Sequence, residues 1–146
     1  MDALDARIIS ILQRDGRATN AGIARAASVS EGTVRRRLRH LIDDKLIKVV
    51  AVIDAKRVGY LAEALIGIQA EPHMIDEVAD AITQLDEVSW VVVTTGAYDI
   101  FAWVSVPTSD DLGVFLSGRL GMISGISRSE AFVNLAIKKT SFGLSR

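Results

Sequence analysis

The sequence has no cysteine, which excludes a disulfide framework, a thiolate zinc site and a cysteine nucleophile. Its two histidines, His40 and His73, fall in different predicted domains without ligand-like spacing, so no metal site is expected. No G-x-G-x-x-G and no P-loop occurs, and Gly121-Met122-Ile123-Ser124-Gly125 does not fit the nucleophile elbow G-x-S-x-G. The adjacent Asp110 and Asp111 are explained by dipole complementarity at a helix start. These absences argue against an enzyme and against any cofactor. The longest uncharged stretches, 88–98 and 100–109, fall short of the roughly 20 residues a membrane span needs. The start, Met1-Asp2-Ala3-Leu4-Asp5, is acidic and lacks an apolar h-region. The expectation is a cytoplasmic protein with no membrane partner.

What is present is an ordinary globular complement: 146 residues, 49% hydrophobic and 24% charged, enough for a core without staples. The net charge of −1 conceals a division. Residues 1–50 carry ten Lys and Arg against six Asp and Glu, whereas residues 51–146 carry seven against twelve. A basic front end joined to an acidic body points to a polyanion as the partner of the front end.

The basic part reads as three helices. Leu4, Ile8, Ile11 and Leu12 recur at helical spacing behind Asp2 as N-cap, and Asp15-Gly16-Arg17 ends the segment. Thr19 caps a second helix carrying Ile23, Ala24 and Ala27. After the break Ala27-Ser28-Val29, Ser30 caps a third, with Val34, Leu38 and Leu41 as its apolar stripe. From Leu46 the period changes, and Ile47–Ile53 reads as a strand leading into a polar connector at 54–59. The expected organisation is a helical domain over 1–46, a connecting strand and linker over 47–60, and a second domain over 61–146.

In the second domain, strand-like Ala64–Ala70 precedes a helix stripe of Ile75, Val78, Ala79, Ile82 and Leu85. Strand-like Val88–Thr94 and Ile100–Val106 follow. Ser109 then caps a helix carrying Leu112, Phe115 and Leu116, and Gly121 to Gly125 breaks it. Ala131, Val133, Leu135 and Ile137 alternate as a last strand. The order β-α-β-β-α-β is the ferredoxin-like pattern, so the fold class is α+β: a three-helix N-terminal domain plus a βαββαβ sandwich. Phe101 and Trp103 alternate with Ile100, Ala102 and Val104, making both faces of that strand apolar. Two helices cover one face of such a sheet, so the other predicts self-association into a homo-oligomer.

The strongest chemical feature is Arg35-Arg36-Arg37-Leu38-Arg39 on the third helix. With about 100° per residue, Gly32, Thr33, Arg36, Arg39 and His40 spread opposite the apolar stripe, and Arg35 and Arg37 flank them. An arginine run is often no more than a solvated helix face. Here it follows a short helix and a tight turn within a three-helix unit, the arrangement of a helix-turn-helix. Such a helix fits a major groove of double-stranded DNA about 12 Å wide. Ser30, Glu31, Gly32, Thr33 and Arg36 would approach base edges, the flanking Arg35 and Arg37 would meet phosphates, and Arg39 completes the DNA-facing set. The alternative is an oligomeric ligand-binding module whose helical domain contacts protein instead of DNA.

The chain resembles the Lrp/AsnC (leucine-responsive, feast/famine) transcriptional regulators along nearly its whole length. The matching residues are Leu4-Asp5 to Ile11-Leu12, Asp15-Gly16-Arg17, Val29-Ser30, Thr33 to Leu38 with Leu41, Leu46-Ile47, Ile53-Asp54, Val58-Gly59 and Thr95-Gly96-Ala97-Tyr98-Asp99. The resemblance implies sequence-specific DNA binding, dimerisation through the sheet and further assembly such as an octamer. It also implies a small-molecule effector, an amino acid or relative, bound between subunits. Two departures stand out: Lys45 and Ser28 occupy positions where the family usually has glycine. A positive φ at Lys45 would cost about 1 kcal/mol.

The loop Thr94–Asp99 joins two central strands. Within it Thr95, Gly96, Tyr98 and Asp99 are the candidate effector contacts: glycine exposes N–H groups to a carboxylate, Asp99 suits an ammonium, and hydroxyls orient either. The plain alternative is a hairpin turn in which Gly96 supplies backbone freedom and Asp99 a local hydrogen bond.

Overall fold

A computed structural model describes residues 1–139. The chain divides into two compact units, Met1–Val52 and Ile53–Lys138.

The first unit is helical, with α1 at Ala3–Arg14, α2 at Asn20–Ala27 and α3 at Glu31–Asp43. Each begins on the residue whose side chain suits the free N–H groups of a first turn. Asp2 and Asp5 form a reciprocal capping box on α1, Thr19 accepts the Gly22 N–H, and Ser30 accepts the Thr33 N–H. The helices meet on Ile8, Ile23, Ala24, Val34 and Leu41, with Leu4, Ile11, Leu12 and Leu38 packed around them. Of the predicted stripe residues, Ile8, Ile23, Ala24, Ala27, Val34 and Leu41 are buried, and Leu4, Ile11, Leu12 and Leu38 are partly buried.

Two of the helices end alike. Val29 N–H reaches Ala24 O at 3.1 Å and Ser28 N–H reaches Arg25 O at 3.3 Å. At the end of α3, Leu46 N–H reaches Leu41 O at 2.9 Å and Lys45 N–H reaches Ile42 O at 3.0 Å. Both are Schellman closures, which require a left-handed residue at the turn. Ser28 and Lys45 each sit at φ 57°, so the non-glycine residues adopt the glycine conformation and carry its strain.

The expected strand at Ile47–Ile53 is not formed: among the described residues these seven belong to no strand. Val49, Val50, Val52 and Ile53 are exposed there. β propensity alone does not make a strand, because its backbone groups need a ladder partner, and none pairs with this segment among the described residues.

In the second unit, β1 (Ala62–Ala70), α4 (Ile75–Thr83), β2 (Val88–Val93), β3 (Ile100–Val106), α5 (Ser109–Val114) and β4 (Ile126–Val133) follow in the predicted order. The sheet is antiparallel, ordered β2-β3-β1-β4. Several boundaries differ from the sequence reading: β1 begins at Ala62, β2 ends at Val93 and β4 begins at Ile126. The cap of α5 is Thr108, whose box with Asp111 satisfies the first turn, so Ser109 lies inside the helix. The last strand stops at Val133, so Leu135 and Ile137 lie outside it, and Leu135 is exposed. Beyond the Ala64–Val133 pair, Asn134 N–H donates to Glu63 O at 2.9 Å, close to the start of β1 at Ala62.

One sheet face carries Ala64, Ile66, Ile68, Ile100, Ala102 and Val104, buried under Val78, Ala79 and Ile82 of α4 and Leu112 of α5. The opposite face presents Leu65, Phe101, Trp103, Trp90 and Phe132, with Trp90 50% and Phe132 42% exposed. Both faces are apolar, as the alternation of β3 predicts.

Candidate nucleic-acid interface and effector loop

On α3 the buried stripe fixes where every arginine points. Val34 and Leu41 are fully buried. At about 100° per residue, Arg36 lies roughly 200° round from Val34 and Arg39 roughly 140°, so both face away from the core. Both are exposed, and among the described residues neither makes an ion pair or hydrogen bond. Gly32 is exposed on the same face, one turn nearer the helix start.

The other predicted contacts are engaged to different degrees. Ser30 Oγ accepts the Thr33 N–H at 3.1 Å and lies 2.8 Å from Thr33 Oγ1, so both hydroxyls hold the helix start. Arg35 pairs with Glu31 at 3.1 Å, but both side chains are exposed, so the pair is worth little and exchanges readily for a phosphate. His40 lies 3.3 Å from Asp44.

Arg37 is different. It follows Val34 by three residues and precedes Leu41 by four, which turns it toward α1. Its Nη1 lies 2.8 Å from Asp2 Oδ2 and 3.4 Å from Asp5 Oδ1. Asp5 is the one buried charged residue among those described, 4% exposed, and its Oδ2 also accepts the Asp2 N–H at 2.9 Å. The Asp5 N–H, above all, and the Arg37 guanidinium hold the Asp2 carboxyl below its ordinary pKa, against an opposing desolvation effect. The sequence reading missed this cluster. Its signal was Asp5 itself, three residues before Ile8 and therefore on the inner face of α1.

The effector loop connects β2 to β3. Thr94 N–H donates to Asp99 O at 2.8 Å, and Thr94 Oγ1 donates to Tyr98 O at 2.8 Å, closing the loop. Thr95 and Gly96 are exposed at its tip, and Gly96 has φ +116°, a conformation other residues rarely adopt. Asp99 extends the β1–β3 pairing one step: its N–H donates to Ile68 O at 2.9 Å, and its Oδ2 accepts the Ala70 N–H at 3.0 Å. Tyr98 lies across Gly67, where a Cβ would meet its ring at 2.9 Å. The ring makes edge contacts with Phe101 and Phe132, and its hydroxyl donates to Glu130. That bond to a carboxylate, with some desolvation, raises the Tyr98 pKa above 10.0.

The loop therefore brings Tyr98 and Asp99 against β1 while leaving Thr95 and Gly96 at the tip. Gly67, Gln69 and Glu130 are partners that the sequence reading missed; Gln69 Nε2 donates to Ala97 O at 2.8 Å. A glycine inside a strand marks a close approach, which was the available signal for Gly67. Among the described residues no cluster of three or more His, Asp or Glu is placed to hold a metal, and no helix is long and apolar enough to cross a membrane.

A capped helix with outward arginines, reached through a short helix and a tight turn, together with a βαββαβ unit, defines a two-part helix-turn-helix regulator. Comparison with known proteins agrees. Residues 1–42 match the AsnC-type helix-turn-helix domain, and residues 63–144 match the Lrp/AsnC ligand binding domain. An HTH-type transcriptional regulator of Pyrococcus furiosus is 38% identical over 143 residues, covering 97% of each chain. The regulator FL11 of Pyrococcus horikoshii is 31% identical over 140 residues, covering 95% of this chain and 92% of its own. Among solved structures, AsnC of E. coli superposes with a TM-score of 0.88 at 26% identity over 97% of each chain. A Neisseria meningitidis regulator solved in complex with L-Met gives a TM-score of 0.91 at 21% identity, covering 99% of this chain and 96% of its own. The chain belongs to the Lrp/AsnC family of DNA-binding transcriptional regulators, which are not enzymes.

Proposed function

We propose that this regulator reads an operator through the outward face of α3 and answers to an amino acid or related metabolite taken up by its second unit. The observation that carries the DNA reading is the pair of exposed guanidinium groups of Arg36 and Arg39 beside Gly32, without a partner among the described residues. Gly32 and Thr33 permit close approach to base edges, Arg36 follows one turn on, and Arg35 and Arg39 meet phosphates. Ser30 and Glu31 hold the helix start through Thr33 and Arg35.

The effector reading rests on the match to a ligand binding domain and on the donor–acceptor mixture of the loop. Thr95 and the Gly96 backbone offer donors to a carboxylate. Asp99 keeps Oδ1 for an ammonium while Oδ2 holds Ala70, and Tyr98 forms the wall of the loop. The exposed Trp90 and Phe132 favour a homodimer through the open sheet face, with further assembly up to an octamer. Two-fold pairing spaces half-sites roughly 34–36 Å apart, or a multiple. The site of action is the cytoplasm.

The test is binding of the full chain to a selected duplex across a salt series, with each of the twenty amino acids titrated calorimetrically. Steep salt dependence is expected, together with heat from at least one amino acid that Asp99→Ala removes. Salt-independent or absent duplex binding would favour a protein partner for the helical unit. Absence of heat from every amino acid would remove the effector reading.

A further inference from the structure

We infer that Arg37 is not a DNA contact but a positioning residue, the clasp that sets the angle of α3 against α1 and so governs how sharply the regulator discriminates its operator. This rests on the DNA reading given above. Three observations carry it. First, Arg37 occupies the inner edge of α3, between the buried Val34 and Leu41, unlike Arg36 and Arg39. Second, its guanidinium is already matched by two carboxylates, Asp2 at 2.8 Å and Asp5 at 3.4 Å. Third, Asp5 is buried, and its remaining hydrogen bond comes from within its own helix start.

A buried carboxylate that loses its cationic partner is strongly disfavoured, so moving Arg37 to a phosphate would carry a cost that moving Arg35 does not. The capping box of α1 therefore has two jobs. It starts the helix, and it presents both carboxylates to a residue on the recognition helix. A planar guanidinium fixes direction as well as distance, which a lysine at position 37 would not do. Because base readout depends on close placement of side chains, a tilt of α3 weakens base contacts while leaving phosphate attraction largely intact.

The experiment compares the full chain and its Arg37→Ala, Arg37→Lys and Asp2→Asn variants on two probes: a duplex selected in vitro by the wild-type chain and a random-sequence duplex of equal length. Each is titrated across a salt series. Asparagine is itself a good N-cap and Asp2 is half exposed, so Asp2→Asn keeps the helix start and the fold. The clasp predicts that all three variants lower the selected-to-random ratio, by about tenfold for Arg37→Ala, the weight of a base contact. It predicts an unchanged salt slope on the random duplex, and a double variant Asp2→Asn with Arg37→Ala no worse than Arg37→Ala alone. A role confined to stability would scale both affinities together and leave their ratio fixed, which overturns the inference. A slope flattened by about 0.9 per protomer with the ratio preserved would make Arg37 a phosphate contact, which also overturns it. If the wild-type chain itself does not prefer a selected duplex, the operator reading fails and the clasp with it.

Discussion

The helical unit and the sheet unit treat polar groups in opposite ways. In the helical unit the hydrophobic cluster holds five buried side chains among the described residues, and charge is left over: Arg36 and Arg39 point outward without acidic partners among those residues. In the sheet unit the core is fifteen, and the groups around the candidate loop are consumed by the fold. Asp99 holds Ala70, Tyr98 holds Glu130, and Thr94 closes onto both Tyr98 and Asp99. The proposed polyanion surface is thus recognisable by unspent charge, whereas the proposed effector loop is built largely from groups that already have partners. Arg37 shows the first rule from the other side, since a guanidinium with two carboxylates beside it belongs to the protein.

The sharpest way to separate the units is to weaken each core by the same chemistry. Ile8→Ala truncates a fully buried member of the five-residue hydrophobic cluster and is expected to cost about 2–5 kcal/mol. It should melt the helical unit first, while Ile66→Ala lowers the transition of the sheet unit instead. Thermal denaturation followed by circular dichroism checks this, and a single transition shifted equally by both variants would erase the distinction.

A smaller effect is expected at the loop. Gly67→Ala puts a methyl group 2.9 Å from the Tyr98 ring, an overpacking worth about 1–3 kcal/mol. In a Tyr60→Phe background, ultraviolet titration should place Tyr98 above 10.0, because Glu130 favours the protonated phenol. Gly67→Ala should bring it back toward 10.0. A raised value means that this bond contributes stability in full below the unfolded-state pKa and loses it as pH climbs through the folded-state one. Tyr98 titrating normally in the wild-type chain would contradict the placement of its ring.

The smallest effect concerns the helix ends. Lys45→Gly relieves a left-handed lysine and should stabilise the helical unit by about 1 kcal/mol, with the sheet unit unmoved, as read by chemical denaturation. Destabilisation instead would mean that the lysine side chain makes a compensating contact.

The helical half was legible because its rules are local. Asp2, Thr19 and Ser30 cap helices within a few residues of themselves, and the Ile8, Val34 and Leu41 stripes follow from a period of 3.6. The order of the βαββαβ unit was legible for the same reason. What escaped depends on partners distant in the chain. Among the described residues Ile47–Ile53 has the composition of a strand and no ladder, and β4 stops at Val133, near the start of β1 at Ala62. Arg37 looks like its neighbours until Asp2 and Asp5, more than thirty residues away, are placed beside it. Tyr98 and Glu130 are likewise 32 residues apart, so composition of the loop alone gave no hint of their bond. Thr108 rather than Ser109 capping α5 is a local miss, decided by Asp111 standing three residues after Thr108.

The most direct test of the central claim, that the outward arginines of α3 meet DNA, is the salt slope of duplex binding for the wild-type chain and for Arg36→Ala with Arg39→Ala. The account predicts weaker binding, with a slope flattened by about 0.9 for each phosphate deprived of its guanidinium. Identical slopes and affinities for the two proteins would show that this face does not touch DNA.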